Sequence, residues 1–219
     1  MPSVLVTGAY SNLGRAIVHT FHENGYVVYG TSTCERKSPE IERTFVMDLS
    51  SREVSFDGID ELDVLVNNAG VFTEAPVGSI GEDDLDTVFD LNVKGLIRVT
   101  QALLPAIRRC DGSIVNISSM NAVHPGFGST SHYDASKGAV SAFTRSLAAQ
   151  TGLRVNAVQP GLISRDALLG SGLEEYWNGH SVRAAMMDPA EIAALVYFLA
   201  TSTGIYGQCI TIDNGFTLR

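Results

Sequence analysis

Positive charge is scarce in this chain of 219 residues: 15 Lys and Arg stand against 24 Asp and Glu, giving a formal net charge of −9 at pH 7 and a pI near 4.9. Such an acidic chain offers no electrostatic footprint for nucleic acid or an anionic membrane, and neither is expected as a partner. Cysteine is scarce too. Cys34, Cys110 and Cys209 are odd in number and far apart, which excludes a disulfide framework, a C-x-x-C pair and a clustered metal site. No metal is expected, and a reduced, cytoplasmic compartment fits best. Long hydrophobic runs are also missing: no apolar stretch approaches the ~18 residues that span a bilayer, and a strand-like run begins close behind Met1 with no charged leader. Neither export nor membrane anchoring is expected. Repeats, low-complexity tracts and linkers are absent, so the 45% hydrophobic content is read as serving one core in a single domain, 1–219.

What is present is alternation. Short apolar, β-branched runs occur at Val4-Leu5-Val6, Val27-Val28-Tyr29, Phe45-Val46-Met47, Val64-Leu65-Val66, 113–117, 154–158 and 209–212. Helical periodicity fills 13–23, 82–109, 134–151 and 189–201. Strands apolar on both faces and separated by helices predict a doubly wound α/β domain, with about seven parallel strands covered on both sides. The stretch 166–188 has no clear period, and a loop that long in a compact domain is usually functional or mobile.

Chemistry concentrates in three places. Tyr133 and Lys137 are four residues apart, which on a helix places phenol and ammonium on one face. A nearby cation favours the phenolate; bringing a phenol from ~10 to ~7 takes roughly 4 kcal/mol, which a lysine and a cationic ring could supply together. Taken alone, such a pair also occurs on many ordinary helix surfaces. The first strand runs into Thr7-Gly8-Ala9-Tyr10-Ser11-Asn12-Leu13-Gly14 and then a helix. Glycines at a strand-to-helix turn let backbone amides approach a pyrophosphate, so a dinucleotide is the natural ligand; a tight turn chosen for shape alone is the alternative. Asp48 follows the third strand, where it could accept from an adenine amine or simply cap a helix.

With these residues in place the chain resembles the short-chain dehydrogenase/reductase family, in its compact single-domain branch, over nearly its whole length. The resemblance rests on residues 7–14, Asn67-Asn68-Ala69-Gly70, Asn92 in Leu91-Asn92-Val93-Lys94-Gly95, Ser118-Ser119, Tyr133 with Lys137, Pro160-Gly161, Gly207-Gln208 and Asp213-Asn214-Gly215. It implies an NAD(P)(H)-dependent oxidoreductase that transfers hydride between nicotinamide and a carbonyl or secondary alcohol. Tyr133 would be the general acid/base and Ser119 would hold the substrate oxygen. Lys137 would lower the tyrosine pKa and hold the ribose, and Asn92 would help hold a water leading to Lys137. Cofactor contacts would come from Gly8, Ser11, Asn12, Leu13, Gly14, Thr31, Ser32, Asp48, Leu49, Asn68, Ala69, Gly70, Pro160, Gly161 and Ile163, besides Tyr133 and Lys137. A homodimer or homotetramer is implied. A non-catalytic dinucleotide-binding or sensing protein on the same scaffold is the other reading.

Departures from the family pattern carry information. Asn12 replaces a glycine of the turn, and its side chain must avoid or bond the pyrophosphate. Ser164 and Arg165 stand where a threonine is usual. Between Asp48 and Asn67 there is room only for a vestigial helix or loop, which predicts a thin flank. No acid follows the second strand at Thr31-Ser32-Thr33, while Arg36 and Lys37 come soon after, which favours NADP(H) over NAD(H). Leu168, Leu169, Leu173, Tyr176 and Trp177 among glycines suggest that 166–188 covers the substrate, with a subunit contact as the alternative. His124 and His132 are expected to line the pocket, and His19 and His22 to lie on the surface.

Overall fold

Alternate residues of the first strand point to opposite faces of one sheet, and this divides the core in two. The computed structural model describes residues 1–126 and 128–219. It contains β1 (Ser3–Val6), β2 (Val27–Ser32), β3 (Arg43–Val46), β4 (Val64–Asn67), β5 (Ser113–Ile117), β6 (Arg154–Pro160) and β7 (Cys209–Ile212). Their order is β3-β2-β1-β4-β5-β6-β7, and every pairing is parallel. Val4 and Val6 pack with Ile17 and Phe21 of α1 (Asn12–Glu23) and Ile192, Val196 and Leu199 of α6 (Pro189–Thr201). Leu5 faces the other way, into a layer with Val99, Leu103 and Ile107 of α3 (Leu96–Arg109) and Leu147 of α4 (Ser131–Thr151). This is the doubly wound sheet that the alternation predicts. The chain reverses its direction of travel across the sheet between β1 and β4, and the crevice beyond their carboxyl ends is where such folds place a ligand.

Three local findings refine the sequence reading. The expected helix over 82–109 is continuous but not uniform: α2 (Glu82–Phe89) passes through a π-helical turn at Asp90–Gly95 into α3. Between β3 and β4 no helix forms, as expected, but the flank is not bare. Phe56 is buried edge-on to Phe45 at 5.3 Å, and the Arg43 guanidinium lies 4.3 Å over the Phe45 ring while donating to the Asp57 carbonyl at 2.7 Å.

The third finding concerns 166–188, which is not an irregular loop. It contains a 3₁₀ turn at Asp166–Leu168 and a helix, α5 (Gly172–His180), begun by Ser171, whose hydroxyl accepts from the Glu174 amide. Its aperiodicity came from packing: α5 drives Trp177 into a small cluster with Met120, Met186 and Phe216, where the indole stacks on Phe216 at 4.4 Å. The segment is also pinned at its ends, because Met187 N donates to Leu162 O and Ser164 N to Met187 O, both at 2.8 Å.

Gly161 makes the Trp177 packing possible, since a Cβ there would lie 2.4 Å from the indole and 3.0 Å from the Asp213 backbone. Gly161→Ala should therefore cost ~1–3 kcal/mol by overpacking. It should also quicken amide exchange in α5 more than in α1; unchanged urea unfolding would contradict this packing.

Candidate active site

The turn after β1 is built by hydrogen bonds that fix its own amides and leave the first amides of the following helix open. Thr7 Oγ1 accepts from the backbone amides of Asn68 and Ala69, both at 2.9 Å, tying β1 to the end of β4. Asn68 Nδ2 donates back to the carbonyls of Thr7 and Gly8 and to Ser11 Oγ. Gly8 has φ +62°, and a Cβ on Gly14 would stand 2.2 Å from the Gly8 carbonyl oxygen, so the helix can approach the turn only without a side chain there. Ser11 caps α1 by accepting from the Gly14 amide at 3.0 Å. The amides of Asn12 and Leu13 remain open at the positive end of the helix, a cradle suited to a pyrophosphate.

Asn12 fits without a left-handed backbone, because it is the first residue of α1, and its side chain turns away from the cradle to donate to the Ser164 carbonyl at 2.7 Å. The departure from glycine thereby links the turn to the segment after β6. Thr31 does not face outward as the sequence suggests: it is buried, and its hydroxyl accepts from the Gly8 amide at 3.0 Å, so it shapes the turn. Ser32 is the half-buried residue at this edge. Beyond it, the Arg36 guanidinium lies 5.7 Å from the centre of the Tyr10 ring, whose hydroxyl donates to the Arg36 carbonyl. Among the described residues no helix directly follows Asp48; its carboxylate instead closes a turn, accepting from the amide and hydroxyl of Ser50, which hold it below the usual range. Leu49 is buried, and its carbonyl oxygen would meet any Cβ on Gly95 at 2.6 Å.

Asn92 lies in the π-helical turn, an irregularity frequent at functional sites. Its Oδ1 accepts from the Val71 amide at 2.8 Å, and its Nδ2 donates to the Val71 carbonyl at 2.9 Å and to Ser136 Oγ at 3.2 Å. The side chain thus fixes the loop that carries Gly70, where a Cβ would crowd Asn92 Oδ1 at 3.2 Å and Lys137 Nζ at 3.4 Å. Lys137 is buried and donates to the Ile117 carbonyl at 3.0 Å, with Nζ 5.8 Å from the centre of the Tyr133 ring. Ser118 is used internally, donating to the Lys137 carbonyl at 2.9 Å, whereas Ser119 accepts from the Asn121 amide at 3.2 Å and is the hydroxyl hydrogen-bonded to Tyr133.

The electrostatics differ from the sequence expectation. Burial pushes the Tyr133 phenol up to about 12, with a hydrogen bond from Ser119 pulling it down and Asp134 adding to the rise. Burial pushes Lys137 down to about 8. The protein's own groups therefore favour neutral phenol over phenolate, because desolvation outweighs the lysine's charge at this separation.

One cavity of about 400 Å³ gathers these parts. Ser11, Asn12 and Leu13 line one end, Ser119, Tyr133 and Lys137 the other, with Asn68, Gly70, Pro160, Gly161 and Ile163 between. Gly8, Gly14, Thr31, Ser32, Asp48, Leu49, Ala69 and Asn92 lie behind or beyond this lining. His124 and His132 do not line it: His124 packs edge-on to Phe216, and His132 is buried against Thr73 at 2.7 Å. From 166–188 the wall receives Leu168 and Leu173 but not Trp177. Several contributors escaped the sequence reading, Val71, Glu74, Met120 and Leu162 among them, and two stand nearest the predicted residues. Phe72 packs edge-on against Tyr133 at 4.9 Å, and Asn121 lines the wall near Ser119; neither belongs to a motif, and only the fold brings them there.

A family profile described as Enoyl-(Acyl carrier protein) reductase matches residues 8–217. The 3-oxoacyl-[acyl-carrier-protein] reductase FabG of Thermotoga maritima is 31% identical over 98% of this chain and 97% of its own. The chain belongs to the short-chain dehydrogenase/reductase family. Among solved structures, ligand-free aldohexose dehydrogenase of Thermoplasma acidophilum superposes with a TM-score of 0.88 at 28% identity, covering 100% of this chain and 94% of that one. A structure described as ElxO with NADP bound gives 0.88 at 25% identity, covering 100% and 99%. This short-chain dehydrogenase/reductase is accordingly an NAD(P)-dependent oxidoreductase acting on a small molecule. Among the described residues no helix is long and apolar enough to cross a membrane, and no cluster of His, Cys, Asp and Glu could hold a metal.

Burial of Lys137 has a thermodynamic signature. Its folded pKa of about 8 lies below the ordinary 10.5, so between those values the unfolded chain binds the extra proton and stability rises with pH. In urea unfolding from about pH 7.5 to 10, the wild-type protein should gain on the order of 2 kcal/mol relative to Lys137→Met. Parallel curves for the two proteins would contradict the burial.

Proposed function

We propose that the cavity is the active site of a carbonyl reductase or alcohol dehydrogenase in which Tyr133 transfers the proton. The supporting observation is convergence: Ser119, Tyr133 and Lys137 line the same cavity as the open turn of Ser11, Asn12 and Leu13. When bound, the nicotinamide supplies or accepts the hydride. In reduction Tyr133 donates its proton to the carbonyl oxygen, and a phenol held protonated up to about 12 is in the required form at neutral pH. Ser119 donates its hydroxyl to the same oxygen, where negative charge develops. In oxidation Tyr133 takes the alcohol proton, and buried Lys137 stabilises the phenolate that precedes it. Asn92 holds the Gly70 to Val71 loop beside Lys137.

The cofactor is held by Gly8, Ser11, Asn12, Leu13 and Gly14 at its pyrophosphate. Asp48, Leu49, Asn68, Ala69 and Gly70 line its adenine-to-ribose side, and Pro160, Gly161 and Ile163 its nicotinamide. NADP(H) is favoured over NAD(H): the edge of β2 presents Ser32 without an acid, Thr31 supports the turn behind it, and Tyr10 holds Arg36 nearby. The enzyme works in the cytoplasm as a homodimer or homotetramer, with half-buried Ile97 and Leu104 of α3 available to a partner. Residues 166–188 close over the substrate through Leu168 and Leu173, while Trp177 anchors them.

Tyr133→Phe should lose ~10²–10⁴-fold in kcat with little change in cofactor affinity. Steady-state rates and cofactor titration test this, and a variant keeping more than about a tenth of the rate would refute the role. For cofactor choice, kcat/KM should be higher with NADPH than with NADH. Arg36→Ala should erode that preference by about tenfold, the worth of a charged hydrogen bond; a clear NADH preference in the wild-type enzyme would overturn the assignment.

A further inference from the structure

The 119–133 connection is closed by a clamp that proton transfer does not require. Asp134, next to Tyr133 in α4, accepts from Asn121 Nδ2 at 2.7 Å with one oxygen and from the Gly126 amide at 3.0 Å with the other. The clamp is tightly packed: a Cβ on Gly126 would come within 2.3 Å of Asn121 Nδ2 and 2.2 Å of Thr130 Oγ1. Asn121 is held a second time, its backbone amide donating to Ser119 Oγ at 3.2 Å. A carboxylate only accepts, so it decides which end of the Asn121 amide faces it. Nδ2 goes to Asp134, and Oδ1 has no hydrogen-bond partner among the described residues although Asn121 lines the cavity.

We propose that Asn121 is a specificity residue, with Asp134 as its positioning residue, and that Asn121 Oδ1 accepts a hydrogen bond from the substrate. The preferred carbonyl or alcohol therefore carries a hydroxyl close to the reacting carbon. The proposal rests on the reading of Ser119 and Tyr133 as the groups that handle the reacting oxygen, since Asn121 is bonded directly to Ser119. The wall carries Val71, Phe72, Met120, Leu168 and Leu173, with Glu74 and Arg165 as its charged members. A substrate without a donor would cover Oδ1 and leave it unsatisfied, and a site built to meet a substrate hydroxyl discriminates through that cost.

Three ketones test this with NADPH and with NADH: hydroxyacetone, 2-butanone, which replaces the hydroxyl by a methyl group, and methoxyacetone, which can only accept. Wild-type kcat/KM should favour hydroxyacetone over each of the others by about tenfold. In Asn121→Ala both ratios should fall several-fold. Asp134→Asn is the sharper variant. Its new amide must keep oxygen on the Gly126 N–H and turn NH₂ toward Asn121, which then flips and presents its own NH₂ to the cavity. The hydroxyacetone to methoxyacetone ratio should then fall below that of Asn121→Ala. A clamp with a purely structural role would lower all rates together, so unchanged ratios in both variants would overturn the proposal. Turnover of all three ketones without discrimination by the wild-type enzyme would overturn it while leaving the oxidoreductase site intact. No turnover of any carbonyl or alcohol with either cofactor would remove that site's reading and this proposal together.

Discussion

A single buried ammonium organises the active end of this molecule. Lys137 sits in the interior with one acceptor among the described residues, the Ile117 carbonyl at 3.0 Å, and a cation so placed tolerates little variation around it. Gly70 must lack a side chain, because a Cβ would stand 3.4 Å from Nζ. The loop bearing Gly70 must be held at that distance, which Asn92 does by bonding both the amide and the carbonyl of Val71. Asn92 can reach them because the helix opens into a π-turn at Asp90–Gly95. Ser118 completes the arrangement by bonding the Lys137 carbonyl, which leaves Ser119 to face the cavity. The cost of burying the lysine is repaid chemically: Tyr133 next to it is kept neutral by the same dryness that, on ionisation, makes the lysine's charge effective.

The other end of the cavity depends on a different economy, in which side chains are used to free backbone. Thr31 and Asn68 bond to the turn after β1, Thr7 ties that turn to the end of β4, and neither Thr7 nor Thr31 lines the cavity. Their effect is to fix Gly8 and Ser11 so that the first amides of α1 stay open. Asn12 adds a tie absent from a glycine-only turn, by holding the Ser164 carbonyl across the cavity mouth. The turn and the segment leading into α5 are thereby joined by a hydrogen bond.

Much of this was legible in the sequence for a physical reason: parallel strands buried on both faces leave short apolar runs, and amphipathic helices leave their period, so every strand and most helices could be placed. The glycine turn and the Tyr133–Lys137 pair stood out because each is a local spacing, and Ser119 was chosen over Ser118 by family resemblance; what the fold adds is that Ser119, Tyr133 and Lys137 line one cavity with Ser11, Asn12 and Leu13. What could not be read depended on long-range packing. The π-turn lies inside a continuous helical stretch, so the surrounding periodicity does not announce it. The stretch 166–188 looked irregular because its ordering partner, Phe216, lies far along the chain. Thr31 was placed at the correct strand end but on the wrong side, since one residue of register exchanges the faces of a strand. His132 next to Tyr133 looked like a pocket residue, yet the helix turns it to Thr73, and Asp134, on its other side, reaches the 119–133 connection instead.

The coupling of dryness and charge at Tyr133 and Lys137 is open to direct observation. Carbon-13 labels on the tyrosine ζ carbons and lysine ε carbons allow both groups to be titrated by NMR in the nucleotide-free protein, with Tyr133→Phe and Lys137→Met assigning the signals. Lys137 should titrate at about 8, while Tyr133 stays protonated to about 12. A lysine titrating near its ordinary 10.5, with a tyrosine at or below its ordinary 10.0, would mean that the site is wet and that burial does not set its chemistry.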